Sequence, residues 1–373
     1  MNVAFRVDAS LMIGNGHVMR CLTLANALRI HGHYCVFICA DLPGNLISSI
    51  IQQDYKVHIL PRQKDKNNSL TKQESNPSDY DAWLGCTWNL DAGQTAAAIK
   101  SSKIDWLVVD HYALDVSWEE VLKPFCKHLM VIDDLANRSH MCDLLLDQTL
   151  NRPNRDYSPW VPASCSLLTG TNFAIIRPEF AAIREYSLGR RSVAALNKIL
   201  ISMGGVDQFN VTEKILDLLL LTELPGSCQL GVVLGANAPF AASVHTKAKT
   251  LPWATEVLQG ISTMEQLMAE ADLAIGAAGS TSWERCCLGL PTIMVTLADN
   301  QKSIASELSA MGAAIDVGTP SASAFSKFFV QTFMDIMKDI ALLNTISYRA
   351  QSLVDGYGVA RVVRAMECNP NIS

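Results

Sequence analysis

The sequence predicts an α/β protein made of two doubly wound, Rossmann-like domains. Three observations predict it. Short apolar runs rich in Val and Ile alternate with stretches of helical periodicity, the pattern of a parallel sheet covered on both faces. The early runs each end in a polar or turn residue: Asp8, Asp41, Pro61, Asp110 and Asp133. The pattern is interrupted between about residues 151 and 191, where Pro, Arg and Ser become dense, and then restarts.

In the first half, residues 3–7, 35–39, 57–60, 106–109 and 129–132 read as buried strands, with helices at 18–30 and 94–100. In the second half, 198–203, 229–234, 256–258, 272–275 and 292–297 read as strands, with a helix from about 210 to 221. The two domains are expected to span residues 1–185 and 186–373, with an active cleft between them. Residues 63–81 are polar and read as a long surface loop. No short-period repeat is present, which excludes a solenoid.

Composition excludes several function classes. A chain of 373 residues that is 49% hydrophobic and 18% charged fills two ordinary cores without disulfides or metals. Its net charge of −6 and the absence of a Lys/Arg stripe argue against nucleic acid as a partner. Eleven cysteines without a CxxC pair read as small buried hydrophobes of a reducing compartment. The charged start, with Arg6 and Asp8, does not read as a signal peptide, and no apolar run reaches the ~18 residues of a membrane span. A cytoplasmic protein without a membrane partner is expected.

The first turn carries Gly14-Asn15-Gly16-His17 between strand and helix. Glycines admit backbone shapes that side chains forbid, and a helix start offers unpaired N–H groups. Met19 occupies the third glycine position of a dinucleotide fingerprint, so that motif is broken. His17 reads either as a structural histidine or as a base at the ligand end of the sheet. Asp110-His111-Tyr112 follows another strand. It either closes a turn or orients His17, sugar hydroxyls or water. Asp133-Asp134 is similarly placed, but no further His or acid lies at ligand spacing. Hydrogen bonding therefore fits better than metal.

In the second half, Gly204-Gly205-Val206-Asp207 opens a helix but lacks the ATPase P-loop pattern. The stretch Gly276-Ala277-Ala278-Gly279-Ser280-Thr281-Ser282-Trp283-Glu284 is the richest. Its small residues suit a pyrophosphate, and a carboxylate one turn later suits ribose hydroxyls. The plainer alternative is a Gly/Ser loop with a helix-stabilising Glu. Asp299-Asn300-Gln301 offers a second polar edge.

Together the strings FRVDAS, IGNGHVMRCLTLANALR, VVDHYALD, VIDDLANRSHMCDLLLDQ, FAIIRPEF, ISMGGVD and AAGSTSWE, running from residue 5 to about 285, resemble a known family. It is that of the UDP-2,4-diacetamido-2,4,6-trideoxy-β-L-altropyranose hydrolases of pseudaminic acid biosynthesis. The resemblance implies two facing Rossmann-like domains of glycosyltransferase-B type, with the active site in the interdomain cleft. It implies release of UDP by water attack at the anomeric carbon with inversion, without metal; the fingerprint broken at Met19 separately argues against a redox cofactor. In those terms His17 looks like the general base and Tyr112 like a second catalytic residue. Asp8, Gly16, Asp110, His111 and Arg177 join the candidate substrate-binding set. The second domain is expected to hold UDP through Gly204, Gly205, Gly279, Ser280, Thr281, Glu284, Asn300 and Gln301.

A histidine suits the activation of water near neutral pH, and UDP leaves without a strong acid. The close rival is a glycosyltransferase of the same fold, which would admit an acceptor hydroxyl in place of water. More distant rivals are a nicotinamide oxidoreductase and a non-catalytic nucleotide-sugar binding protein.

Overall fold

The computed structural model describes residues 1–62, 80–193 and 195–368. The 63–81 loop reading falls outside them, apart from Tyr80 and Asp81. The chain forms two α/β units, Met1–Ile175 together with the segment returning from Val359, and Ile176–Gly358.

The first domain runs β1 (Asn2–Val7), α1 (Gly16–Ile30), β2 (Tyr34–Ala40), α2 (Ile47–Ile51), β3 (Lys56–Leu60) and α3 (Trp88–Ile99). It continues with β4 (Ile104–Asp110), α4 (Val116–Leu122), β5 (Cys126–Ile132), β6 (Leu144–Asp147) and β7 (Ser166–Thr169). All seven strands are parallel, in the order β3-β2-β1-β4-β5-β6-β7. Side chains of a strand alternate between faces, so a sheet covered on both sides needs apolar residues at nearly every position. In β1, Val3, Phe5 and Val7 enter one core with Leu24 and Phe37, while Ala4 enters the other with Leu107 and Trp118.

The second domain opens with α5 (Pro178–Arg190), β8 (Lys198–Ser202), α6 (Val211–Leu219), β9 (Gln229–Leu234), α7 (Ala241–Ala248) and β10 (Ala254–Gln259). There follow α8 (Met264–Glu270), β11 (Leu273–Ala277), α9 (Thr281–Cys287), β12 (Thr292–Val295), α10 (Lys302–Ala310), β13 (Ile315–Asp316), α11 (Phe325–Lys338) and α12 (Ala341–Gln351). Its parallel sheet has the order β10-β9-β8-β11-β12-β13. Both sheets reverse their strand order beside the first strand of the domain. This is the switch point outside which open α/β sheets bind ligands.

The last helix, α13 (Gly358–Glu367), belongs to the first domain. Val359, Val362, Val363 and Met366 recur at helical spacing and join the core that contains Phe5. Glu367 also bonds His33 Nε2 at 2.8 Å, beyond α1. The sequence reading gave this tail to the second domain and set the boundary at 185/186; by contacts the change falls at Ile175/Ile176, with a return at Val359. The interrupted stretch around 151–191 contains β7 and the whole of α5, whose start is set by Pro178 at the first helical position. No helix among the described residues is long and apolar enough to cross a membrane.

Candidate active site

In the first domain the switch point lies between β1 and β4, which pair in register from Val3↔Trp106 to Val7↔Asp110. After β1, Gly14 takes the left-handed backbone conformation (φ 78°), and its N–H bonds the Ser10 carbonyl at 2.8 Å. This turn starts α1 at Gly16 and puts His17 in its first turn, one turn before Arg20. Asp110 closes β4. Its Oδ1 lies 2.6 Å from His17 Nδ1. Arg20 grips the same carboxylate from Nε at 2.6 Å and Nη2 at 2.7 Å.

Burial alone would raise the Asp110 carboxyl. The Arg20 guanidinium and the His17 ring outweigh it and hold the group well below the usual carboxylate range. An ionised carboxylate only accepts hydrogen bonds, so the short contact requires the proton on His17 Nδ1. In the neutral ring Nε2 then carries the lone pair, and no described residue bonds it. This is the tautomer a general base needs.

Tyr112 stands edge-on to His17, ring centroids 4.7 Å apart. Its hydroxyl donates to Asp134 Oδ2 at 2.8 Å, and Arg20 Nη1 reaches the same oxygen at 2.7 Å. Burial and the nearby Asp134 charge push the phenol well above its ordinary range, so Tyr112 stays protonated. Arg20 thus ties Asp110 to Asp134 across the ends of β4 and β5. Neither Arg20 nor Asp134 stood in the candidate set. The sequence signal was present, since Arg20 is one helical turn from His17 and Asp134 follows a strand.

Two candidates of this domain lie beneath the surface. Asp8 is fully buried and takes Arg6 Nη2 at 2.9 Å and the Ala40 N–H at 2.7 Å. His111 is buried, accepts the Ala113 N–H at Nδ1 (3.1 Å) and turns Nε2 toward Asp8 at 3.5 Å. Burial lowers its pKa to about 4, which keeps it neutral. Both lie buried at the turns after β1 and β4, and His111 Nε2 has no hydrogen-bond partner among the described residues. Gly16 is the first residue of α1.

Asp133, like Asp134, is occupied by cations and donors. It pairs with Arg138 at 2.8 Å and accepts from Tyr157 Oη at 2.9 Å and the Ala136 N–H at 2.9 Å. Tyr157 also reaches Asp147 at 2.8 Å, where burial and the Asp134 charge push the carboxyl up to about 6. Among the described residues no group of three His, Cys, Asp or Glu side chains is arranged to hold a metal.

In the second domain the other candidates lie at the carboxyl ends of β8, β11 and β12, which are neighbours in the sheet. Gly204, left-handed at φ 87°, and Gly205 follow β8. Gly235 has no room for a side chain because the Gly205 backbone packs against it. The start of α6 is filled from within, since Asp207 accepts the Val211 and Thr212 N–H groups at 2.8 and 2.9 Å. After β11 come Gly279, Ser280 and Thr281, each partly exposed. Beneath them Arg285 donates to the Ala277 carbonyl at 2.7 Å and Ser282 Oγ at 2.9 Å. Gln301, in the short turn Asp299–Gln301 with Asn300, lies against Gly279 and accepts the Leu297 N–H at 2.9 Å.

Glu284 is partly buried and no described residue bonds its carboxyl. Burial pushes it up to about 7, against the opposing charges of Arg177 and Arg285. Arg177 lies near enough to act on it, while itself bonding Glu265 at 2.7 Å and the Ser262 carbonyl at 3.0 Å. Each domain therefore assembles its own cluster at its own switch point.

Comparison with known proteins bears on the fold. Residues 200–326 match the glycosyltransferase family 28 C-terminal domain. Over 98% of this chain and 99% of the other, the structure superposes on Acinetobacter baumannii MurG with a TM-score of 0.69 at 17% identity. The fold is that of the glycosyltransferase-B class. Among curated proteins, the chain is 27% identical to the UDP-2,4-diacetamido-2,4,6-trideoxy-β-L-altropyranose hydrolase of Campylobacter jejuni over 84% of its own length and 97% of that protein's. It is 24% identical to the uncharacterized protein MJ1062 of Methanocaldococcus jannaschii over 79% of its length, and matches only 55% of that longer protein.

Proposed function

We propose that this protein is a hydrolase that releases UDP from a 2,4-diacetamido-2,4,6-trideoxyhexose nucleotide, UDP-2,4-diacetamido-2,4,6-trideoxy-β-L-altropyranose, with inversion. The observation that carries the reading is the His17–Asp110 pair, a histidine whose tautomer is set by an ionised carboxylate and whose Nε2 no described residue bonds. The similarity to the Campylobacter jejuni hydrolase supports the substrate class.

In this reading Nε2 removes a proton from water as the water oxygen bonds to the anomeric carbon. The bond from that carbon to the β-phosphate oxygen breaks, and UDP leaves with the electron pair. Attack from the face opposite the leaving group inverts the centre. Asp110 does not receive the proton; it holds the ring and stabilises the imidazolium that forms. Tyr112, as a neutral phenol, packs against the ring and offers its oxygen to water or a sugar hydroxyl. The second domain holds UDP, with Glu284 accepting from the ribose hydroxyls and Gly279–Thr281 lying along the pyrophosphate. No metal is assigned, because the arginines already occupy the acidic residues near His17.

The glycosyltransferase reading draws on the family 28 match and the likeness to MurG. One experiment separates the two. The protein is incubated with UDP-2,4-diacetamido sugars of several configurations, without acceptor, while UDP release and the anomer first formed are followed by NMR. Rapid release with inversion supports the hydrolase; release only after a hydroxyl acceptor is added replaces it with the transferase.

A further inference from the structure

Tyr80 and Trp83 belong to none of the motifs above, yet they stand beside the proposed base. The Trp83 ring stacks on Tyr112 with centroids 5.7 Å apart and planes 28° apart, and it meets His17 edge-on at 6.2 Å. Tyr80 closes the group, 5.1 Å from Tyr112 and 4.7 Å from Trp83. The inner pair, His17 and Tyr112, is buried; Tyr80 and Trp83 are partly exposed. An apolar wall therefore borders the strongly polar set formed by Asp110, Arg20 and Asp134.

The turn that carries the wall is anchored. Leu84 is 2% exposed in the core, and its carbonyl accepts from Arg62 Nε at 2.9 Å. Arg62 in turn pairs with buried Asp91. Gly85 ends the turn in the left-handed conformation, φ 67°. A loop held this way presents its rings at a fixed position without further ordering on binding, which favours recognition over mere cover.

We infer that Trp83 and Tyr80 form the subsite for the apolar edge of the sugar, the face of ring C–H groups and the methyl of a 6-deoxyhexose, and so select against a 6-hydroxymethyl group. This inference rests on the hydrolase reading and deepens it. The ring faces gain from burying C–H groups, and a hydroxyl set against a ring face, away from the polar edges of these rings, would lose its water without a partner there. Hydrophobic pockets discriminate single groups of this size by about 10–200-fold.

The test compares wild type, Trp83→Ala and Trp83→Phe, first by binding of UDP alone and then by steady-state turnover of two UDP-sugars that differ only in a 6-methyl or 6-hydroxymethyl group. The expected result is unchanged UDP affinity in all three proteins. Trp83→Ala should raise KM for the deoxy sugar about tenfold or more and erase the preference for it, with the smaller change in kcat. Trp83→Phe should restore most of the preference. An unaltered preference in Trp83→Ala overturns the inference. So does a variant that loses kcat alone, which would make Trp83 a support for His17. A wild type that binds UDP but turns over neither sugar instead refutes the hydrolase reading, so the two failures are distinguishable.

Discussion

Asp110 Oδ1 sits 2.6 Å from His17 Nδ1, and both nitrogens of the Arg20 fork that face Asp110 bond the same carboxylate. One buried anion therefore serves two partners from the same face of α1, one turn apart. It fixes the histidine tautomer, and its own charge is secured by Arg20.

Replacing Asp110 with Asn tests both duties. The amide can donate to Nδ1 and so favour the opposite tautomer, which removes the lone pair from Nε2. Turnover should fall by about 10²–10⁴-fold, the range of general-base catalysis, while UDP affinity is kept. Arg20 would retain only Asp134, so unfolding should be easier by about 3–5 kcal/mol, the cost of breaking a buried pair. Denaturant unfolding and turnover at a temperature where the variant is folded read the two effects separately. Near wild-type turnover in a folded variant contradicts the assignment.

Glu284 supplies a pH dependence. Its folded carboxyl titrates at about 7, above the ordinary 4.5. A raised folded value means that, without nucleotide, the stability it contributes is complete below about 4.5 and lost as pH rises through about 7. Ribose hydroxyls donating to the carboxylate favour its ionised form, so UDP binding should release protons near neutrality and tighten as pH rises to about 7. Calorimetry in buffers of different ionisation enthalpy measures the release. Glu284→Gln should abolish it, and Glu284→Ala should cost about 1–3 kcal/mol of UDP affinity. An alanine variant that binds UDP as well as wild type would remove Glu284 from the nucleotide site.

The fate of Asp133 and Asp134 bears on metal dependence. Arg138 and Tyr157 engage the first; Arg20 and Tyr112 engage the second. Turnover should survive exhaustive chelation and should not rise on addition of magnesium or manganese. Strict dependence on either ion would require these acids to leave their arginines.

The sequence made the strands and their polar ends legible because a sheet buried on both faces needs continuous apolar runs. Those ends located His17, Asp110 and the 276–284 stretch without any knowledge of strand order. The return of α13 was not legible. Its Val359, Val362, Val363 and Met366 face marks a buried helix, but periodicity does not say which core receives it. Asp8 and His111 looked like site residues for the same reason as Asp110, their place after a strand. Only the fold shows that Arg6 and Ala40 fill Asp8, and that His111 faces inward. Trp83 escaped notice because it lies in a short turn after a polar stretch, with neither strand nor helix period to mark it.

On the proposed reading His17 activates water at an anomeric carbon. The most direct measurement is UDP release from the diacetamido sugar nucleotide in acceptor-free buffer by wild type and by His17→Asn, with UDP affinity measured in parallel. The expected result is turnover by wild type, a loss of about 10²–10⁴-fold in the variant and unchanged UDP affinity. Release by the variant at the wild-type rate would contradict it.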